Sequence, residues 1–237
     1  MTTFVLTHGA WGGAYGFRKL RPLLWQEGHE VFTPSLTGIG ERSHLTAPWI
    51  NLSTHVTDLV NLIRYEDLND IVLLGFSYGG MVVTGALDQI GDRVRHLVYL
   101  DAFVPSDGQS AADLVGMAQQ SPALDPGSSW LLPPIPRQLD DPAETAWSNE
   151  RRSEQPVKTF TEPAKLSKPL QDWPFTLSYI KATEDQNEQP DSPFWKAARA
   201  AEQSSRWTYH EIGTNHLIPF ERPADLAAIL LDICAGV

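Results

Sequence analysis

Ser77 lies in Gly75-Phe76-Ser77-Tyr78-Gly79, a G-x-S-x-G pattern. A serine hydroxyl attacks a carbonyl only when a neighbouring base takes its proton, and that base is usually a histidine oriented by a carboxylate. By chance alone the pattern arises in about one chain in ten of this length, so its weight comes from its surroundings. Asp70 opens the apolar run Ile71–Leu74, which reads as a buried strand. Gly80 to Ile90 carries apolar residues suited to a helix packed on a sheet. Strand, glycine turn and helix are the context of a nucleophile elbow. In such a turn the flanking chains come so close that a Cβ at position 75 or 79 would collide.

Where a serine of this kind works with a triad on this scaffold, the order along the chain is serine, acid, histidine. Of the seven histidines, only His210 and His216 follow a late acid. His210 sits inside the apparent strand Trp207–Ile212, whereas His216 sits in the turn Gly213-Thr-Asn-His after it. His216 is therefore the expected general base. The acid belongs at the end of a preceding strand. Thr183-Glu184-Asp185-Gln186 offers two carboxylates there, and Asp185 is preferred over Glu184. Asp101, after the strand that follows the elbow helix, is the alternative position, and Asp191 reads as a solvated loop residue. An oxyanion needs fixed N–H donors. Tyr78, directly after the nucleophile, supplies one, and Ala10 in the glycine-rich loop His8-Gly-Ala-Trp-Gly-Gly is well placed for the second. Trp11, Phe76 and Tyr78 would flank the site with aromatic surface and suit an apolar or aromatic substrate. The loop lacks the G-x-x-x-x-G-K pattern of a phosphate cradle. No cluster has metal-ligand spacing, so neither metal nor cofactor is expected.

The elements that must position these residues alternate. Strands are expected at Phe4–Thr7, Glu30–Thr33, Ile71–Leu74, Arg95–Leu100, Phe175–Thr183 and Trp207–Ile212. Helices are expected at Phe17–Gln26, Ser53–Tyr65 with Ser53 as a helix-starting residue, Gly80–Ile90, Phe194–Gln203 and Ala224–Ile233. Thr37–Leu45 reads as a polar, flexible loop. The alternation implies an α/β fold, a mostly parallel, doubly wound sheet with right-handed crossovers. Ligands bind such sheets at the C-terminal ends of their strands, where the His8 loop, Ser77 and Asp101 would all fall. Between residues 105 and 174 the texture changes. Prolines are frequent, Pro133-Pro-Ile-Pro136 excludes helix and central strand, and Trp130, Trp147 and Trp173 argue against disorder. This segment is expected to be an inserted cap, partly helical at 108–120 and 143–151, on a core made of residues 1–104 and 175–237.

The chain has 237 residues, a formal net charge of −11 and 42% hydrophobic residues. Its acidity disfavours nucleic acid and anionic membrane surfaces as partners. The single cysteine, Cys234, excludes an internal disulfide and fits a reducing compartment. No apolar run approaches membrane-spanning length, and the N-terminus lacks the basic and apolar regions of a signal peptide. A cytoplasmic protein with a small-molecule partner is expected.

Several stretches resemble the α/β-hydrolase branch that holds plant methylesterases and hydroxynitrile lyases, with many bacterial esterase-like members. They are Phe4-Val-Leu-Thr-His-Gly-Ala-Trp-Gly-Gly, Leu20-Arg-Pro-Leu-Leu, Gly28-His-Glu-Val, Gly75-Phe-Ser-Tyr-Gly-Gly, Thr183-Glu-Asp and Asn215-His216. The loop Gly38–Leu45 is similar to the bacterial members. The resemblance implies Ser77, Asp185 and His216 as a triad, Ala10 and Tyr78 as oxyanion donors, and a cap over the strand ends. The branch's lyases carry a threonine just after the first-strand histidine and a lysine just after the catalytic histidine. Here those positions are Gly9 and Leu217, which agree with the esterase pattern. The expected function is thus a cofactor-free carboxylesterase, with Gly9, Trp11, Phe76 and Leu217 at the substrate pocket; the alternatives are a hydroxynitrile lyase-type carbon–carbon lyase or a ligand-binding receptor on the same fold with little turnover.

Overall fold

The computed structural model describes residues 1–117, 129–186 and 188–235. In chain order, β1 (Thr3–Thr7), α1 (Leu20–Gln26), β2 (Glu30–Phe32), α2 (Leu52–Tyr65), β3 (Ile71–Phe76), α3 (Gly79–Ile90) and β4 (Val94–Leu100) make the first half of the sheet. Then come the short elements α4 (Ala111–Leu114), β5 (Leu131–Leu132), α5 (Pro142–Asn149), β6 (Gln155–Pro156) and α6 (Lys158–Thr161). The sheet resumes with β7 (Thr176–Ala182), α7 (Pro193–Glu202), β8 (Trp207–Ile212), α8 (Ile218–Glu221) and α9 (Pro223–Ala235). Among the described residues the main sheet has six strands in the order β2-β1-β3-β4-β7-β8, and every pairing is parallel. The strand order reverses between β1 and β3, so a crevice opens between their C-terminal ends. The loop after β1 and the turn after β3 meet there.

Alternation along the strands divides the apolar residues between two cores. Val5, Leu73, Leu97 and Leu177 face the side covered by α2, α3 and α7. Leu6, Leu74, Leu100 and Ile180 face the side covered by α1 and α9. β3 is buried along its whole length, as a central parallel strand must be.

The structure alters some expected boundaries. The helix expected from Phe17 begins at Leu20, after a tight turn over Ala14–Phe17. Asn51, rather than Ser53, caps α2. Its side chain accepts from the Thr54 N–H at 3.0 Å while the Thr54 hydroxyl accepts from the Asn51 N–H, a reciprocal cap that offsets the helix's unpaired donors. Ser53 instead bonds Glu162 with both its N–H and its hydroxyl. The loop Thr37–Leu45 coils into 3₁₀ turns at Gly40–Leu45, because Leu36 and Ile39 are apolar anchors with no exposed surface. In the segment 105–174 the two expected helices are observed as the shorter α4 and α5, and positions 118–120 of the first lie outside the described residues. No helix of the described residues is long and apolar enough to cross a membrane.

Three buried histidines fasten this framework in neutral form. The His55 Nε2–H donates to the Thr37 carbonyl at 2.9 Å, so Nδ1 accepts from the Tyr78 hydroxyl at 3.0 Å. His8 has the opposite tautomer, because Nε2 accepts from the Leu36 N–H at 3.1 Å and Nδ1–H donates to the Gly9 carbonyl. His96 bridges Ser178 and Thr176. Burial lowers all three, His55 to about 3 and His96 to about 4. The unfolded chain takes up protons near the ordinary histidine value while the folded chain refuses them. This contribution to stability is therefore complete above pH of about 6.5 and shrinks as pH falls toward the folded values. The thermal midpoint is expected to drop steadily between pH 6.5 and 4, measured by circular dichroism. His55→Gln should lower the midpoint at neutral pH and flatten that slope, and a wild-type midpoint constant across the window would contradict the assignment.

Candidate active site

The turn after β3 is built by close approach. Ser77 has φ of +55°, a left-handed conformation that costs a non-glycine residue about 1–2 kcal/mol. It is held there because the Ser77 N–H donates to the Leu100 carbonyl and the Ser77 carbonyl accepts from the Phe103 N–H. A Cβ at Gly79 would lie 2.5 Å from the Thr7 carbonyl oxygen, and one at Gly75 would lie 2.8 Å from that of Gly79. Glycine at both positions is thus a steric requirement, as the motif implied.

Ser77 Oγ lies 2.9 Å from His216 Nε2, and His216 Nδ1 lies 2.6 Å from Asp101 Oδ2. A carboxylate only accepts, so Nδ1 carries the proton and Nε2 is left as the acceptor for the serine hydroxyl. The imidazole is clamped between two rings, Phe76 with centroids 5.0 Å away and Phe194 stacked at 5.1 Å and 8°. Asp101 is wholly buried at the end of β4, with φ of +40°. Burial pushes its carboxyl upward, but the His216 and Lys181 contacts outweigh it and hold the group below the usual carboxylate range.

Asp185, the acid preferred from the sequence, is not on the imidazole. Its Oδ2 accepts from the backbone N–H of His216 at 3.4 Å and lies 3.7 Å from Arg137 Nη1. Glu184 and Asp191 are exposed. The alternative position, Asp101, takes the place expected of Asp185. The sequence signal for this was Lys181, a charged residue within an apolar strand. It lies 2.7 Å from Asp101 Oδ1 and compensates the charge of a carboxylate at that depth.

Ala10 and Tyr78 are buried, and among the described residues their backbone N–H groups donate to nothing. Buried amides are almost always paired, so these two N–H groups are free to meet an incoming acceptor. The Tyr78 ring stacks on Phe160 of α6 at 5.4 Å. The Trp11 N–H donates to Gln155 and its indole to the Leu132 carbonyl, so the segment after β4 reaches the loop after β1. A cavity beside this loop is lined by Gly9, Ala10, Phe76, Arg152 and Leu217. The Arg152 Nε is buried and has no hydrogen-bond partner among the described residues, which suits a ligand carrying an acceptor. Phe160, Phe194, Gln155 and Arg152 were not anticipated, because none belongs to a local pattern.

The sequence matches the alpha/beta hydrolase family over residues 4–229, and the chain belongs to that family. It is 39% identical over 181 residues to a carbendazim hydrolyzing esterase from Nocardioides sp. (strain SG-4G), covering 70% of this chain and 74% of the relative. It is 32% identical over 103 residues to an alpha-hydroxynitrile lyase of Arabidopsis thaliana, covering 43% and 40% of the two chains. Among solved structures, an extracellular alpha/beta-hydrolase from a Paenibacillus species, described as homologous to tobacco salicylic acid binding protein 2, superposes with a TM-score of 0.78. The match covers 98% of each chain at 24% identity. Esterases among the relatives place the chain with the carboxylic ester hydrolases.

A Cβ at Gly9 would lie 2.9 Å from Ser77 Cβ and 3.3 Å from the Phe76 ring. Gly9→Ala should displace the serine and cut kcat for a short ester about ten- to a hundredfold while circular dichroism stays unchanged. Undiminished turnover would mean that the loop yields freely and does not set the serine's position.

Proposed function

We propose that the protein hydrolyses a small apolar or aromatic carboxylic ester through an acyl-enzyme, with Ser77 as nucleophile, His216 as general base and acid, and Asp101 as the orienting carboxylate. The observation that carries this reading is the unbroken hydrogen-bond chain from Asp101 through His216 to Ser77. Ser77 Oγ bonds to the carbonyl carbon as its proton passes to His216 Nε2. The Ala10 and Tyr78 N–H groups receive the oxyanion. His216 then returns the proton to the departing alkoxide, and a water activated by the same nitrogen releases the acid. The buried negative charge of Asp101 stabilises the imidazolium at each transfer. This chemistry calls for no metal or cofactor. Residues 105–174 act in this reading as the cap, contributing Phe160, Gln155 and Arg152 around the site. A cytoplasmic setting is part of the proposal and fits the single Cys234. Thioesters, lactones and carbamates would use the same groups.

The reading is tested by four variants at one pH, each checked for folding. Ser77→Ala should lower ester turnover by several orders of magnitude. Asp101→Asn should lower kcat by up to about four orders, whereas Asp185→Asn and Glu184→Gln should stay within a few-fold of wild type. A collapse of Asp185→Asn with Asp101→Asn intact would return the acid to the late strand. Near-wild-type Ser77→Ala would end the mechanism altogether.

A carbon–carbon lyase is the rival on this scaffold. Leu217 is buried and apolar and has no charge to offer departing cyanide, and Gly9 has no hydroxyl to offer the substrate. The purified protein should hydrolyse short nitrophenyl esters and leave mandelonitrile at the uncatalysed rate. Cyanide release without ester hydrolysis would reverse the assignment.

A further inference from the structure

Beneath Asp101 lies an ion cluster that ester hydrolysis does not by itself require. The Lys181 side chain has no exposed surface. Its Nζ donates to Asp101 Oδ1 at 2.7 Å, to Glu188 Oε2 at 2.6 Å and to the Ala182 carbonyl at 2.6 Å. Nζ also sits 4.5 Å from the centre of the Trp195 ring. Three donors meet three acceptors, which an ammonium at this depth needs. Neutralising Asp101 would take one cation and nothing more. The second carboxylate, Glu188, restores a net negative charge to the group.

We infer that Lys181 and Glu188 are positioning residues of the catalytic centre, which hold the Asp101 carboxylate with Oδ2 toward His216 and set how strongly it favours the imidazolium. The inference rests on the reading of Asp101 as the acid. A carboxylate turns easily about its terminal torsion. Lys181 and the Ala182 N–H, 3.4 Å away, take Oδ1, and Oδ2 is left for the imidazole. Lys181 draws the carboxylate's charge away from His216, and Glu188 draws on Lys181 in turn. Glu188 also accepts from the Ser192 hydroxyl, and Ser192 caps α7 by accepting from the Trp195 N–H. That first turn of α7 presents Phe194 to the His216 ring and Trp195 to Lys181. One cluster therefore orients both the acid and the base.

Among the described residues, the groups that face this cluster come from elements of the sheet's C-terminal edge and its neighbours. Asp101 comes from the end of β4, Glu188 from the loop after β7, His216 from the loop before α8, and Trp195 from α7. Tyr179 of β7 bonds the Ala102 and Phe194 carbonyls, and Tyr209 of β8 donates to the exposed Glu211. Burial raises both phenols far above neutral pH, so they do not titrate where the enzyme would work. Asp185 approaches His216 from its backbone N–H.

The test is kcat/KM for a short-acyl ester across pH, followed by acid release, for Glu188→Gln, Lys181→Met and the double variant. Glu188→Gln keeps a hydrogen-bonding side chain and removes one negative charge, so the imidazolium is less favoured and the acid limb should move about one unit down. Lys181→Met leaves two carboxylates without their cation, so the limb should move up by about as much, and kcat should fall about tenfold as Asp101 loses its hold. The double variant restores the net charge but not the hold, so its limb should return toward wild type with kcat still low. Folded variants whose limbs and kcat match wild type would reduce the cluster to a structural ion pair and overturn the inference. If Lys181→Met does not fold, Glu188→Gln decides alone. Asp101→Asn is the control: if it retains wild-type kcat, the reading of the acid fails, whereas its collapse beside unshifted limbs fails only the role given to Lys181 and Glu188.

Discussion

The left-handed turn at Ser77 is the constraint on which the rest of the structure depends. A serine with φ of +55° is strained, and the strain persists only where neighbours over-determine it. Here two neighbouring strands, and the chain leaving one of them, do so. The end of β1 lies against Gly79, the end of β4 receives the Ser77 N–H, and the chain beyond β4 donates back through Phe103. A Cβ at Gly80 would lie 2.1 Å from the Phe103 carbonyl oxygen, so the segment leaving β4 can run only as close as a glycine permits. The same contact fixes the path of Asp101 and Ala102. Ser77 and Asp101, the proposed nucleophile and acid, are thus placed by one packing event at the centre of the sheet.

The legible part of this protein was what local chemistry dictates. G-x-S-x-G carries its own steric reason, the six strands announce themselves by apolar runs between turn residues, and chain order singles out His216, the histidine that lies against Ser77. Asn51 was missed as a cap because Ser53 is an equally good cap by type, and only the reciprocal bond with Thr54 distinguishes them. The loop at Thr37–Leu45 read as flexible because most of its residues are polar. Two apolar residues, Leu36 and Ile39, decide its shape by burying themselves, and Asp58 accepts the Thr37 N–H and hydroxyl.

The proposed acid was harder to single out for a physical reason. Both Asp101 and Asp185 follow parallel strands on the same edge of the sheet, so position in the chain cannot separate them. What separates them is charge compensation at depth. Asp101 has no exposed surface and meets a lysine, a histidine and a backbone amide, while Asp185 is turned toward Arg137 and the backbone of the histidine loop. A buried carboxylate is tolerable only with such partners. Lys181 read simply as part of a strand, because nothing in β7 alone reveals which residue of β4 lies beside it.

The neutral histidines extend the same logic to the oxyanion side. His55 accepts from the Tyr78 hydroxyl and donates to the Thr37 carbonyl, and His8 links Gly9 to Leu36. Both proposed oxyanion donors therefore sit beside a residue that an uncharged imidazole holds. A cation there would lose an acceptor nitrogen, and with it either the Tyr78 or the Leu36 bond. The centre accordingly keeps its histidines in two electrostatic classes. His8 and His55 are buried with no carboxylate bonded to their rings, and burial keeps them neutral as fixed struts. In the proposed mechanism His216 carries a proton between serine and leaving group, with the Asp101 carboxylate against its ring. What distinguishes the proposed shuttle from the struts is direct contact of its ring with a carboxylate, Asp101 after β4.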